Sequence, residues 1–128
     1  MTLKVRLNGT ELQNFQAELD QLRANIMADL GAEDANYIRK ISRIAQSSAI
    51  TGRGLLMFGV GPISWVSGII ALAHAKIIEN MELGHNILHG QYDWMNDPEF
   101  NSKTYSWDMV CATENWRKSH NIEHHNYT

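Results

Sequence analysis

The sequence has little sulfur chemistry and no excess of positive charge. Of its 128 residues only Cys111 is a cysteine. A lone thiol makes no internal disulfide and builds no cysteine-rich zinc cage. Lys and Arg number 11 against 14 Asp and Glu, a net charge of −3, so the basic footprint of a nucleic-acid binder is missing. The opening Met1–Arg6 is too polar for a secretory signal peptide, and no repeat or low-complexity tract is present. With 44% hydrophobic and 20% charged residues the composition is that of a folded chain rather than a disordered one. The length suits one domain.

Histidine, methionine and tryptophan are plentiful: six, six and four. Five of the six histidines fall between positions 85 and 125.

Periodicity predicts an all-α chain. Leu12, Phe15, Leu19, Leu22, Ile26 and Leu30 recur at spacings of three and four, an amphipathic helix over about 10–30 that Gly31 stops. The stripe is narrow and heptad-like, so it calls for a partner surface, in its own protein or on another chain. A second helix is expected from Asp34 to about Ser48, with Tyr37, Ile38, Ile41, Ile44 and Ala45 as its apolar face. Arg39, Lys40, Arg43 and Arg53 follow without an acidic residue between Asp34 and Glu79. Such a run is usually a solvated face, but here it precedes the most apolar segment and fits a cytoplasmic flank.

That segment, Gly54 to Ala73, holds 20 residues and no charge. As one helix it measures about 30 Å, the thickness of a bilayer core. A buried helix of a soluble protein is the alternative. Gly59, Gly61 and Pro62 favour a turn or kink within it. One span puts the N-terminus and the histidines on opposite sides. A hairpin turning at Gly59–Pro62 keeps them on one side. If the return starts at Ile63, His85 lies about 33 Å further along, just past the ~30 Å hydrocarbon. Residues 91–106 are polar and read as a loop, and a last helix begins near Thr113.

The histidines form two clusters. His85 and His89 have the H-x3-H spacing, one turn apart on one helix face. His120, His124 and His125 repeat the i,i+4 pair and add a third ring about 100° around from His124 on an α-helix. Imidazole suits iron, zinc and copper. Either pair alone is more often an exposed or hydrogen-bonded pair. Two together, beside an apolar segment, predict a metal site. Asn86 and Asn121 follow the first histidine of each cluster, so the His-Glu-x-x-His zinc-protease pattern is absent. No nucleophile elbow is present, and Cys111 lacks an activating neighbourhood.

From Lys76 through His85-Asn-Ile-Leu-His89 to Pro98, then Trp107-Asp108 and Asn115 through His120-Asn-Ile-Glu-His124-His125 to Thr128, the chain resembles the N-terminal part of integral-membrane fatty acid desaturases, bacterial acyl desaturases above all. The likeness covers roughly residues 35–128. It implies membrane hairpins, histidine-bearing helices at the cytoplasmic face and a non-haem di-iron centre with His85, His89, His120, His124 and His125 as ligands. It further implies O₂-dependent insertion of a double bond into a fatty acyl chain, with electrons from a ferredoxin or cytochrome b5-like donor. Glu82 is a candidate to orient His85, with a solvated glutamate as the alternative. Trp94, Asn96 and Asp97 are candidates to line the acyl site, against the simpler reading of a loop anchored by a tryptophan and an Asx turn. His74 shares a helix face with His85 but is no box position; a buried polar group fits it better.

The family's third histidine box and second hairpin do not appear here. Five imidazoles are few for two irons, and a ligand pair at 124–125 has little scaffold after it. The expectation is therefore a single partial domain: amphipathic helices over 10–50, an apolar membrane segment over 54–89, and a second box over 113–125. Such a chain reads as an N-terminal fragment, inactive alone. Competing readings are a histidine-box hydroxylase or alkane monooxygenase, and a non-catalytic metal-binding membrane protein.

Overall fold

The computed structural model describes residues 8–107 and 111–127. Met1–Arg6 and Asp108 lie outside them. The described residues form helices and tight turns, with no β-strand element among them. The chain divides into two compact units at Asp34.

The first unit is built on α1 (Gly9–Asp29). A reciprocal capping box starts it. The Asn8 side chain accepts from the Glu11 amide at 2.9 Å, and the Glu11 carboxylate accepts from the Asn8 amide at 2.8 Å. Such a cap contributes about 1 kcal/mol. The helix stops where Leu30 turns extended. None of its residues is buried.

The second unit begins within α2 (Ala32–Phe58). This helix runs ten residues past the expected end at Ser48. Gly52 does not break it, because the helix packs there against α3 (Pro62–Ile77); a Cβ on Gly52 would sit 2.7 Å from Leu72. The buried stripe is Ala35, Ile38, Ala45 and Gly52, while Tyr37 and Ile44 face outward.

The apolar run does not form one helix. It bends between Phe58 and Pro62, with Gly61 at φ 88°, a conformation costly for any other residue, and Pro62 opening α3. The Ser64 hydroxyl donates to the Gly61 carbonyl at 2.9 Å. No helix among the described residues is long and apolar enough to cross a membrane. The single-span expectation is thereby corrected: the charge-free stretch is shared between the end of α2 and a 16-residue α3 of about 24 Å. The turn itself falls where the hairpin alternative puts it. Met57, Phe58, Val60 and Ile63 at its tip are all exposed.

Beyond α3 the helical path continues without a break through a π-helical segment (Ile78–Gly84) into α4 (His85–Leu88). Residues 89–107 form a turn-rich connection containing two 3₁₀ turns, Asp93–Met95 and Pro98–Phe100. Then come α5 (Thr113–Trp116), a second π-helical segment (Arg117–His124) and α6 (His125–Tyr127). Ile38, Ala45, Leu83, Ile87 and Phe100 make one core, which Ile41, Ile78, Tyr92, Trp94 and Tyr105 extend. Leu88, Trp107 and Trp116 make a second, next to the histidines.

Candidate metal centre

The two histidine clusters meet. His85 opens α4 and His89 caps its end, their ring centroids 4.7 Å apart. His120 stands at the centre of the group. Its ring lies 4.9 Å from His85, 5.1 Å from His89, 5.1 Å from His124 and 4.9 Å from His125. His125 also approaches His89 at 5.0 Å.

The π-helical turns explain this convergence. The His85 amide donates to the Asn80 carbonyl and the His125 amide to the His120 carbonyl, each five residues back. A turn closed by i→i+5 bonds holds more than four residues, so residues four and five apart straddle one face. His124 and His125 therefore both lie against His120, where an α-helix sets His125 well off that line. Such bulges are frequent at functional sites.

His85, His89 and His120 offer ring nitrogens that all lie within 4.8 Å of one another. The Nε2 atoms of His89 and His120 are 3.2 Å apart. Two nitrogens bound to one metal at about 2.0–2.1 Å, with angles from octahedral to tetrahedral, stand about 2.8–3.4 Å apart. The observed spacing fits a shared metal. These three imidazoles are half-buried, whereas His124 and His125 are exposed.

Electrostatics favour the ligating form. Burial pushes the His89 imidazole below its ordinary range, helped by His85 and His125. Burial also lowers His120, which His85, His89, His125 and His124 reinforce. A neutral imidazole keeps the lone pair that a metal needs.

Trp116 holds His120 from behind. The two rings stack at 4.2 Å with planes 21° apart. The same indole meets His85 and His89 edge-on, at 5.5 and 5.7 Å. Trp107 packs against Trp116 at 5.4 Å. On its other side Trp107 lies on Gly84, where any Cβ would collide with the indole. Thr113 fixes the Trp107 backbone, its hydroxyl accepting from the Trp107 amide at 3.0 Å. The Asn121 side-chain amide donates to the Leu88 carbonyl at 3.1 Å, tying the second cluster to the first. Trp107 Nε1 and Asn121 Oδ1 are buried without a partner among the described residues.

The other candidates lie elsewhere. Glu82 is exposed, and no hydrogen bond joins its carboxylate to His85 among the described residues. Its main-chain carbonyl instead accepts from the Asn86 side chain at 2.7 Å and the Tyr92 hydroxyl at 3.2 Å. Asp97 pairs with Arg39 at 2.9 Å and caps the Glu99 amide at 3.1 Å, and the Arg39 guanidinium holds its carboxyl below the usual range. Asn96 takes the left-handed conformation and donates to the Trp94 carbonyl, while Trp94 packs on the core. His74 bonds Ser48 across the α2–α3 hairpin, its Nδ1 3.1 Å from the hydroxyl. A cleft of about 600 Å³ has Ala45, Ala49, Leu83, Ile87 and Phe100 on its apolar side and none of Trp94, Asn96 and Asp97 in its lining. Trp116 and Asn121 are the supporting residues that sequence reasoning passed over. Trp116 stands four before His120, an i,i+4 spacing that marks a shared face.

No family model matches the chain, and no solved structure matches it. It is 44% identical over 122 residues, 95% of its length, to a protein of Mycobacterium tuberculosis (strain CDC 1551 / Oshkosh) named NADPH-dependent stearoyl-CoA 9-desaturase. The protein of the same name from strain ATCC 25618 / H37Rv gives the same values. The chain spans 29% of the length of these relatives. It is thus related over nearly its whole length to a desaturase.

Proposed function

We propose that this chain carries two of the histidine motifs of a fatty acyl desaturase and works, in the intact enzyme, as part of an oxygen-dependent di-iron oxidoreductase. The observation that carries the reading is the convergence on His120 of four other imidazoles, two of them from a distant segment. The relatedness to a stearoyl-CoA 9-desaturase supports desaturation over oxygen insertion by a hydroxylase or alkane monooxygenase.

His85, His89 and His120 are the inner ligand set, with His124 and His125 flanking it toward solvent. Iron bound there supplies the oxidising power that hydrogen removal from an unactivated methylene needs and that no side chain has. In the overall reaction a –CH₂–CH₂– unit, O₂, two electrons and two protons give –CH=CH– and two waters. The chain's own residues prepare this. Neutral imidazoles present lone pairs, Trp116 fixes the plane of His120, and Leu88, Trp107 and Trp116 keep water from the rear of the site. Five imidazoles are few for two irons, so further ligands complete the centre.

The substrate in this reading is a fatty acyl thioester such as acyl-CoA, and the cleft beneath Ile87 offers an apolar volume for part of its chain. The relatives' name supports an electron supply that starts at NADPH, delivered through a ferredoxin or cytochrome b5-like protein. The exposed apolar tip at Met57, Phe58, Val60 and Ile63 seats in the bilayer, with the histidines on the cytoplasmic side.

The test is product analysis. Iron-loaded intact enzyme receives a deuterated acyl-CoA, O₂ and an NADPH-driven donor. Loss of two deuteriums with a new double bond supports the reading. A hydroxylated product, or no oxygen-dependent product at all, contradicts it.

A further inference from the structure

We propose that α1 is a dimerisation element that pairs in parallel with α1 of a second copy of this chain. Leu12, Leu19 and Ile26 alternate with Phe15 and Leu22 at strict three–four spacing, the a and d positions of a heptad. Each of the five is about half exposed, and the helix buries none of its 21 residues. A stripe this regular matches the seam of another helix better than the broader face that packs on a globular core.

Charge selects the occupant. Between Gly9 and Asp29 the ionised groups are Glu11, Glu18, Asp20 and Asp29 against Arg23 alone. Helices that lie on a bilayer surface carry Lys and Arg on the polar face, so this acidic face disfavours lipid. The flanking positions suit a second copy. Glu18 occupies g and Arg23 the e position five residues later. In a parallel pair g of one helix meets e of the next heptad on the other, which sets Glu18 of each copy against Arg23 of the other. Glu11 likewise meets Gln16. An antiparallel pair sets g against g and e against e, so Glu18 meets Glu18 or Asn25 and no opposite charges meet. The capping box at Asn8 and Glu11 keeps the first turn wound up to Leu12.

The experiment is disulfide trapping in the full chain. Leu12→Cys and Ile26→Cys are each made in a Cys111→Ser background and oxidised mildly, in detergent and on neutral lipid vesicles. Parallel pairing brings like positions together, so each variant gives a homodimer on its own. Adding Glu18→Lys sets like charges together and weakens pairing about tenfold. Adding Arg23→Glu to that variant restores it. Circular dichroism confirms that every variant keeps its helix content. Three outcomes overturn the proposal: no cross-link at either position, a cross-link only when the Leu12→Cys and Ile26→Cys chains are mixed, or a yield that ignores the charge reversal. Chains that stay monomeric on the vesicles overturn it too, and flotation alone decides nothing, because the exposed Met57–Ile63 tip is itself expected to carry the chain to lipid. None of these results bears on the metal centre.

Discussion

Trp116 stacks on His120 with ring centroids 4.2 Å apart, and His120 in turn touches the four other clustered histidines. One buried indole thus sets the plane of the imidazole around which the site is organised. The stack joins the second hydrophobic core to the candidate metal centre, so packing and the proposed ligation meet at this contact.

Replacing Trp116 with leucine is expected to weaken metal binding about 10- to 100-fold, the usual penalty for removing a group that orients a ligand. It should also cost about 3 kcal/mol of stability. Trp116→Phe retains a stacking ring and most of the affinity. Cobalt(II) titration followed in the visible, alongside urea unfolding, separates the two effects.

The histidines are not equivalent. His120→Ala removes the hub and is expected to lower cobalt affinity by at least about 100-fold, more than loss of an orienting group. His124→Ala, at the exposed edge, should cost no more than about tenfold. Equal losses for both would speak against His85, His89 and His120 as the inner set.

The metal-free chain should show a pH signature. His89 and His120 are lowered from the ordinary 6.5, chiefly by burial. Below that value the unfolded chain binds more protons than the folded one. Stability therefore rises with pH through the window leading up to 6.5 and levels off above it. Imidazole NMR titration should give midpoints below 6.5 for both rings. A midpoint at or above that value for either contradicts the assignment of both as shielded ligands.

Gly84→Ala drives a methyl group into the Trp107 ring. The expected cost is about 1–3 kcal/mol, as for other overpacked sites, with a change in near-ultraviolet dichroism as the indoles shift. In a Trp107→Leu background the same substitution should cost much less. A double-mutant cycle by urea unfolding reads the difference.

The helices and the histidine pairs were legible in the sequence because both rest on spacing. Apolar residues at three and four marked α1, and H-x3-H put His85 and His89 on one face. The hairpin turn was legible too, since Gly61 permits a positive φ that other residues avoid and Pro62 fixes its own φ. The π-helical turns were not. An i→i+5 ladder leaves no hydrophobic period of its own, and with 3.6 residues per turn His125 sits away from His124. Nor did the sequence show that α2 runs on through Gly52. Its close contact with Leu72 on α3 is a tertiary effect that outweighs helix propensity. The structural alternative for Trp94, Asn96 and Asp97 describes their contacts in the fold: an Asx cap, an ion pair with Arg39 and core packing.

The most direct test of the metal centre is X-ray absorption at the iron edge on the iron-loaded chain. The account predicts an iron shell with the multiple scattering of imidazole rings, lost in the chain carrying His85→Ala, His89→Ala and His120→Ala together. Iron without imidazole scattering, or a spectrum that this triple variant leaves unchanged, would contradict it.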